Sequence, residues 1–227
     1  MQNRYAGDIG DYGKLGLLRQ IQASTQLSIG VNWYLVPDEG HNGDGQHINY
    51  LTKNSFRECD PPLFDALAQV VASGRRQVTA LETPAVLPND NAVYYSEMLD
   101  FSHTAKPERE AIRAGWHKKA LAKLKGCDLV FADPDNGLIV PSAEDGPKSS
   151  KYVLPSELKD TSEQFYRNRT YNADIFLNHG SSCTKLLKES LSRLHRNFLK
   201  YALMGLSLFH SVWYNVFING VWDDYGC

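Results

Sequence analysis

The chain reads as an α/β protein built on a Rossmann-like, mostly parallel sheet with helices on both faces and an antiparallel hairpin near its carboxyl end. Three observations lead there. Short apolar runs bounded by turn residues recur at 29–36, 129–132 and 173–177, and runs of that length and composition are buried strands. Segments with apolar residues at helical spacing lie between them, and strands alternating with helices imply crossover connections and parallel pairing. The last two apolar runs, 202–209 and 211–219, follow one another directly and close the sheet as a hairpin.

Composition bounds the reading further. The 42% hydrophobic and 22% charged content is that of an ordinary folded domain, which excludes a disordered chain. We treat residues 1–227 as one domain, with 1–25 as a loop and helix extension ahead of the sheet. A formal charge of −2 leaves no overall basic footprint, so nucleic-acid binding would have to come from a local patch. Cys59, Cys127, Cys183 and Cys227 are far apart and form no metal-binding or C-x-x-C spacing. Reduced thiols, a cytoplasmic location and no metal site are the expectation. The polar first residues predict no signal peptide, and no apolar run reaches membrane-spanning length. Nothing in the composition speaks to oligomeric state.

Taken in order, residues 3–19 open with glycines and aspartates, and Asp11 is the candidate N-cap of a helix running to about Gln22. Gly7, Gly10 and Gly13 lack a preceding strand and so make no dinucleotide fingerprint. Residues 29–36 are β-branched and aromatic, the first clear strand, and lead into a glycine-rich loop at 37–45 carrying acids and His41. Asp60-Pro61-Pro62 precedes a helix with Leu63, Phe64, Leu67 and Val70/Val71 on one face, which makes Asp60 a cap rather than a catalytic acid. Residues 76–82 read as a second strand ending in Glu82, a position that commonly receives ribose hydroxyls. Residues 93–99 fit either a short strand or a helix start, with Asp100 following.

Residues 104–125 read as a basic helix with Ile112, Trp116, Ala120 and Leu124 as its apolar face. It delivers the chain into 129–132, where Asp133 stands at the strand tip and Pro134 and Gly137 shape the turn. An acid at the carboxyl tip of a parallel strand faces the ligand crevice. Residues 141–150 are polar and suit a mobile segment over that crevice. A helix near 156–165 and an amphipathic helix at 184–199 complete the pattern, and His179 reads as structural.

Four features now stand in order: a glycine-containing segment at 7–18, the loop His41-Asn42-Gly43-Asp44-Gly45, the acid Glu82, and Asp133-Pro134-Asp135-Asn136 after an apolar strand. Together they resemble the S-adenosylmethionine-dependent methyltransferases, most nearly the large-subunit ribosomal RNA adenine-N6 enzymes of the DPPY type. The resemblance implies S-adenosylmethionine as cofactor, held by Lys14, His41, Gly43, Gly45, Glu82 and Asp100. It implies Asp133, Pro134, Asp135 and Asn136 as the catalytic turn, and RNA or DNA as the partner whose base amine is methylated. Asp135 and Asn136 depart from the family's second proline and aromatic residue, so base stacking would fall to Tyr5, Tyr12 or Tyr152. Two further classes use the same residues. Asp8, Asp11, Asp38, Glu39, Asp44, Asp133 and Asp135 are suited to a divalent metal and phosphodiester hydrolysis, and a non-catalytic binding module would keep the sheet alone.

Overall fold

The computed structural model of the protein describes residues 1–168 apart from 26, 41, 42, 89–91 and 145. Within them, β1 (Ile29–Asn32) lies between β2 (Ala92–Tyr95) and β3 (Leu129–Ala132) in a parallel sheet of order β2-β1-β3. Ile29 registers with Ala92 and Leu129, and Asn32 with Tyr95 and Ala132. The three strands therefore end level, and their carboxyl ends form one edge. The helices are α1 (Ile9–Thr25), α2 (Asn54–Cys59), α3 (Pro61–Ala72), α4 (Lys106–Leu124) and α5 (Pro155–Asn168).

Alternation along the strands sorts the side chains into two cores, as the pleat requires. Ile29, Val31, Trp33 and Phe131 join Tyr12, Leu15 and Leu18 of α1 and Leu63, Phe64 and Leu67 of α3 on one face. Tyr34 and Tyr95, with Val93, Val130 and Ala132, join Trp116, Ala120 and Leu124 of α4 on the other. Each such apolar side chain contributes about 1.5–3 kcal/mol by leaving water, so the sheet is clamped from both faces. The α/β architecture and parallel sheet agree with the sequence reading. The expected strand at 173–177, the later helix and the antiparallel hairpin lie outside the described residues.

Several elements differ from expectation, each for a physical reason. The strand at 29–36 stops at Asn32, because Tyr34 takes a φ of 44° that no extended strand can hold. Residues 76–82 form a 3-10 helix, Val78–Leu81, rather than a strand. The Val78 N–H, which a strand would give to a neighbouring ladder, is given to Asn3 Oδ1 at 3.0 Å. Residues 92–95 settle as strand. Asp8, not Asp11, caps α1: its Oδ1 accepts from the Asp11 N–H at 3.1 Å. Asp60 caps α3 as expected, accepting from the Leu63 N–H at 3.2 Å. Residues 141–150 are not an open loop: they hold the 3-10 turns Pro141–Ala143 and Pro147–Lys151, with Ser149 and Ser150 buried.

On α4, Trp116, Ala120 and Leu124 are buried as expected, and the predicted face departs at its first residue. Ile112 is 43% exposed whereas the neighbouring Arg113 is 7% exposed. Arg113 Nε and Nη2 meet Glu157 Oε1 and Oε2 at 2.7 and 2.8 Å, and its Nη groups donate to the carbonyls of Ser149 and Tyr152. Glu157 also accepts from the Tyr34 hydroxyl at 3.3 Å and from the Leu154 N–H at 2.9 Å. This paired fork ties α5 and the 147–152 turn to α4. Arg113→Met should lower stability by about 3–5 kcal/mol in urea titration, because it strands a buried carboxylate. The double variant with Glu157→Met should lose less than the single one.

Candidate functional site

The carboxyl edge of the sheet gathers an unusual density of charge with little exposure. Asp133 follows β3 directly, its N–H donating to Asn32 O at 2.9 Å, and it is 8% exposed. Lys14 of α1 reaches over the edge, placing Nζ 2.6 Å from Asp133 Oδ2 and 2.7 Å from Asp11 Oδ1. Asp11 and Lys14 are three residues apart on one helix face, so both point at the strand tip. Asp11 is fully buried, and its Oδ2 accepts from the Gly7 N–H at 2.7 Å.

Burial pushes the Asp11 carboxyl up to about 6, with the Lys14 charge opposing and Asp8 and Asp133 adding to the rise. Lys14 behaves differently. Burial disfavours its charge, yet Asp11 and Asp133 outweigh that and hold its ammonium above the ordinary lysine range.

The turn after Asp133 is anchored by the first residues of the chain. The amino group of Met1 lies 2.8 Å from Asp135 Oδ1 and donates to Asp133 O at 3.0 Å and Tyr34 O at 3.2 Å. Gln2 Nε2 donates to Asp135 Oδ2 at 2.6 Å, and Lys151 Nζ stands 3.5 Å from the same oxygen. Burial raises the Asp135 carboxyl, but the Met1 ammonium, Gln2 and Lys151 more than offset it, leaving the group below the ordinary range. Pro134 spans the two acids without a donor of its own. Asn136 pairs through its N–H with Lys151 O at 3.0 Å.

The other residues named from the sequence are placed as follows. Glu82, at the end of the 3-10 helix, accepts from Trp33 Nε1 at 3.0 Å. The same indole has Lys14 Nζ 5.8 Å from its ring and Tyr94 stacked at 6.4 Å on a nearly parallel plane. Trp33 therefore links Glu82 to the Lys14–Asp133 pair. The Tyr94 hydroxyl is buried with no hydrogen-bond partner among the described residues, and burial together with Glu82 pushes the phenol up to about 12. Gly45 has a φ of +79°, and a Cβ there would collide with the Tyr5 ring and the Arg4 carbonyl. Its own carbonyl accepts from Arg76. Gly43 faces open space. His41 lies outside the described residues. Asp100 is exposed and closed into a turn by the Ser102 hydroxyl and N–H, which lower its carboxyl.

The glycine turn and the Asp133 turn thus belong to one end of the molecule, with residues 1–5 packed between them. Tyr5 covers Gly45, its hydroxyl accepts from Gln2 at 3.1 Å, and Gln2 reaches Asp135. Met1 and Gln2 are 2% and 0% exposed, so side chains fill this gap. Sequence reasoning missed Met1, Gln2, Trp33 and Tyr34 as parts of the site. One signal was present: Asp11 and Lys14 share the helix face of Leu15 and Leu18, where charge needs a partner.

Among the described residues no group of three potential metal ligands is arranged to hold an ion. The Lys14 ammonium stands between Asp11 and Asp133, where a cation would sit. No helix of the described residues is long and apolar enough to cross a membrane. No family model, curated protein or solved structure matches the chain.

Lys14→Met leaves two buried carboxylates unpaired and should cost about 3–5 kcal/mol near neutral pH. The raised Asp11 group favours the folded state below its ordinary 3.8, and that advantage is lost as pH rises through about 6. The penalty of Lys14→Met should therefore shrink when denaturation is repeated at pH 5, where Asp11 is protonated. An equal penalty at both pH values would contradict this account of the ion cluster.

Proposed function

We propose that the chain is an S-adenosylmethionine-dependent, methyltransferase-like protein of the class I type, with its reaction centre at Asp133 and an amine as acceptor. The observation that carries the reading is a buried acid at the carboxyl tip of a strand flanking the central one of a parallel sheet, joined through Lys14 and Trp33 to Glu82. In doubly wound folds that edge is where ligands bind. A partly buried carboxylate and an unpartnered phenol fit the hydroxyls and base of an adenosyl group, so Glu82 and Tyr94 would hold it, and the fully buried Trp33 fixes Glu82 through its indole N–H.

The cofactor, when bound, supplies the electrophilic methyl group. Asp133 commits Oδ2 to Lys14 and has a second oxygen with which to accept from the acceptor amine and orient its lone pair. Lys14 fixes that carboxylate, and Asp11 fixes Lys14. Most of the rate in such a transfer comes from positioning in a dry site. The resemblance extends the acceptor to a nucleic-acid base.

A second reading, a binding module that keeps the sheet, is favoured by one observation: Met1 and Gln2 already occupy the edge. Isothermal titration of the full chain with S-adenosylmethionine and S-adenosylhomocysteine separates the two. Methyltransferase function predicts saturable heat, weakened about tenfold by Glu82→Gln through loss of one charge-assisted hydrogen bond. It also predicts that Asp133→Asn keeps cofactor binding while losing about 100-fold or more of methyl transfer to an RNA pool. Absence of heat and of any thermal shift with both compounds rejects the enzyme in favour of the module.

A further inference from the structure

The Met1 nitrogen is held by three acceptors, and their chemistry is more specific than the reading above requires. Asp135 Oδ1, Asp133 O and Tyr34 O stand 2.8, 3.0 and 3.2 Å from it, and the Asp135 side chain is 3% exposed. The two carbonyls accept hydrogen bonds and the Asp135 carboxylate makes an ion pair, and buried acceptors left unanswered are costly, so the pocket calls for a group that brings N–H donors. One of the three acceptors is ionised, which calls for a positive charge as well.

The placement of these acceptors is built into the sheet. Asn32, 6% exposed at the end of β1, accepts from the Asp133 N–H through its carbonyl at 2.9 Å and from the Tyr34 N–H through Oδ1 at 3.3 Å. One residue therefore aligns both backbone acceptors. Tyr34 is the single non-glycine residue with positive φ among the described residues. That strained backbone is held by the Tyr34 ring against Trp116 at 4.9 Å and by its hydroxyl on Glu157. Strain of this kind persists where the surroundings over-determine it, and such positions cluster at ligand clamps.

From this geometry we infer that Asp135, Asp133 and Tyr34 form a binding site for an aliphatic primary ammonium group, which the amino group of Met1 occupies in this structure. A nucleobase amine could meet the two carbonyls but brings no charge to answer Asp135. A quaternary ammonium offers no donor. The inference concerns binding alone and does not require methyl transfer, so it is tested without cofactor.

The test uses the full chain with Gly-Ser placed ahead of Met1, which moves the terminal amine away from the acceptors. The probe is methylammonium chloride, with tetramethylammonium chloride at equal concentration as the control. Methylammonium should raise the melting midpoint by about 2 °C more than tetramethylammonium, and Asp135→Asn in the same extended chain should erase the difference. Equal responses to the two salts, or a difference that survives Asp135→Asn, overturn the inference.

A second measurement needs no extension and holds if the extended chain fails to fold. Acylation of the Met1 amine by acetic anhydride, followed by peptide mass spectrometry, should be about tenfold faster in Asp135→Asn than in the parent chain. The buried Lys14 amine reports on folding, since it should stay equally protected in both. Equal rates at Met1 with Lys14 protected also overturn the inference.

Discussion

A single lysine ammonium sets the arrangement at the sheet's working edge. Lys14 is carried by the first long helix, yet its charge is spent on Asp133, 119 residues further on, and on Asp11 one turn back. Taking three charges out of water is expensive, and they are stable together only because each answers another. Helix, sheet and turn are thereby fixed relative to one another with little latitude. If the helix slid by one turn, the lysine would carry Asp11 with it and leave Asp133 unpaired.

Around that cluster the opening segment of the chain acts as a structural part of the site. Residues 1–5 lie between the glycine turn and the acid turn and touch both, so the two features that looked like opposite walls of a cleft share a common filling. Trp33 serves the other side, with its indole nitrogen on Glu82 and its ring beside Lys14. The edge is a connected polar network rather than an open groove. Apart from the Tyr94 hydroxyl, which has no partner among the described residues, a ligand that enters must exchange partners with paired groups.

Much of this frame was legible in the residues, and the departures share a cause. The run at 129–132 matched its strand, because four apolar residues between a glycine and a proline turn leave few alternatives. Asp60 was readable as a cap because proline at the first helical positions is a strong local signal. The run at 29–36 was read too long, since β-branched and aromatic content says nothing of a residue forced into positive φ by its surroundings. Residues 76–82 carry strand propensity, but propensity cannot know that the Val78 N–H is taken by Asn3 from the opening segment of the chain. On α4, Trp116, Ala120 and Leu124 were readable as the buried face, but Arg113 is buried in place of Ile112, and the partner that makes this tolerable is Glu157, on another helix. At the site, Asp133 could be found from its place after a strand. The Trp33–Glu82 bond and the Met1 contacts are tertiary and leave no local trace.

The register of the sheet has a consequence for how the molecule comes into being. Ile29 of the central strand pairs with Leu129, and Ser28 is bonded to Asp128 across a separation of a hundred residues. A ribosome must therefore release most of the described chain before β1 acquires its second neighbour. Until then a strand buried on both faces in the finished protein carries one open edge, and loop closure over that span is slow compared with helix formation. During synthesis, this waiting interval is when the protein is most exposed to pairing with the wrong strand, and therefore when a chaperone would matter most.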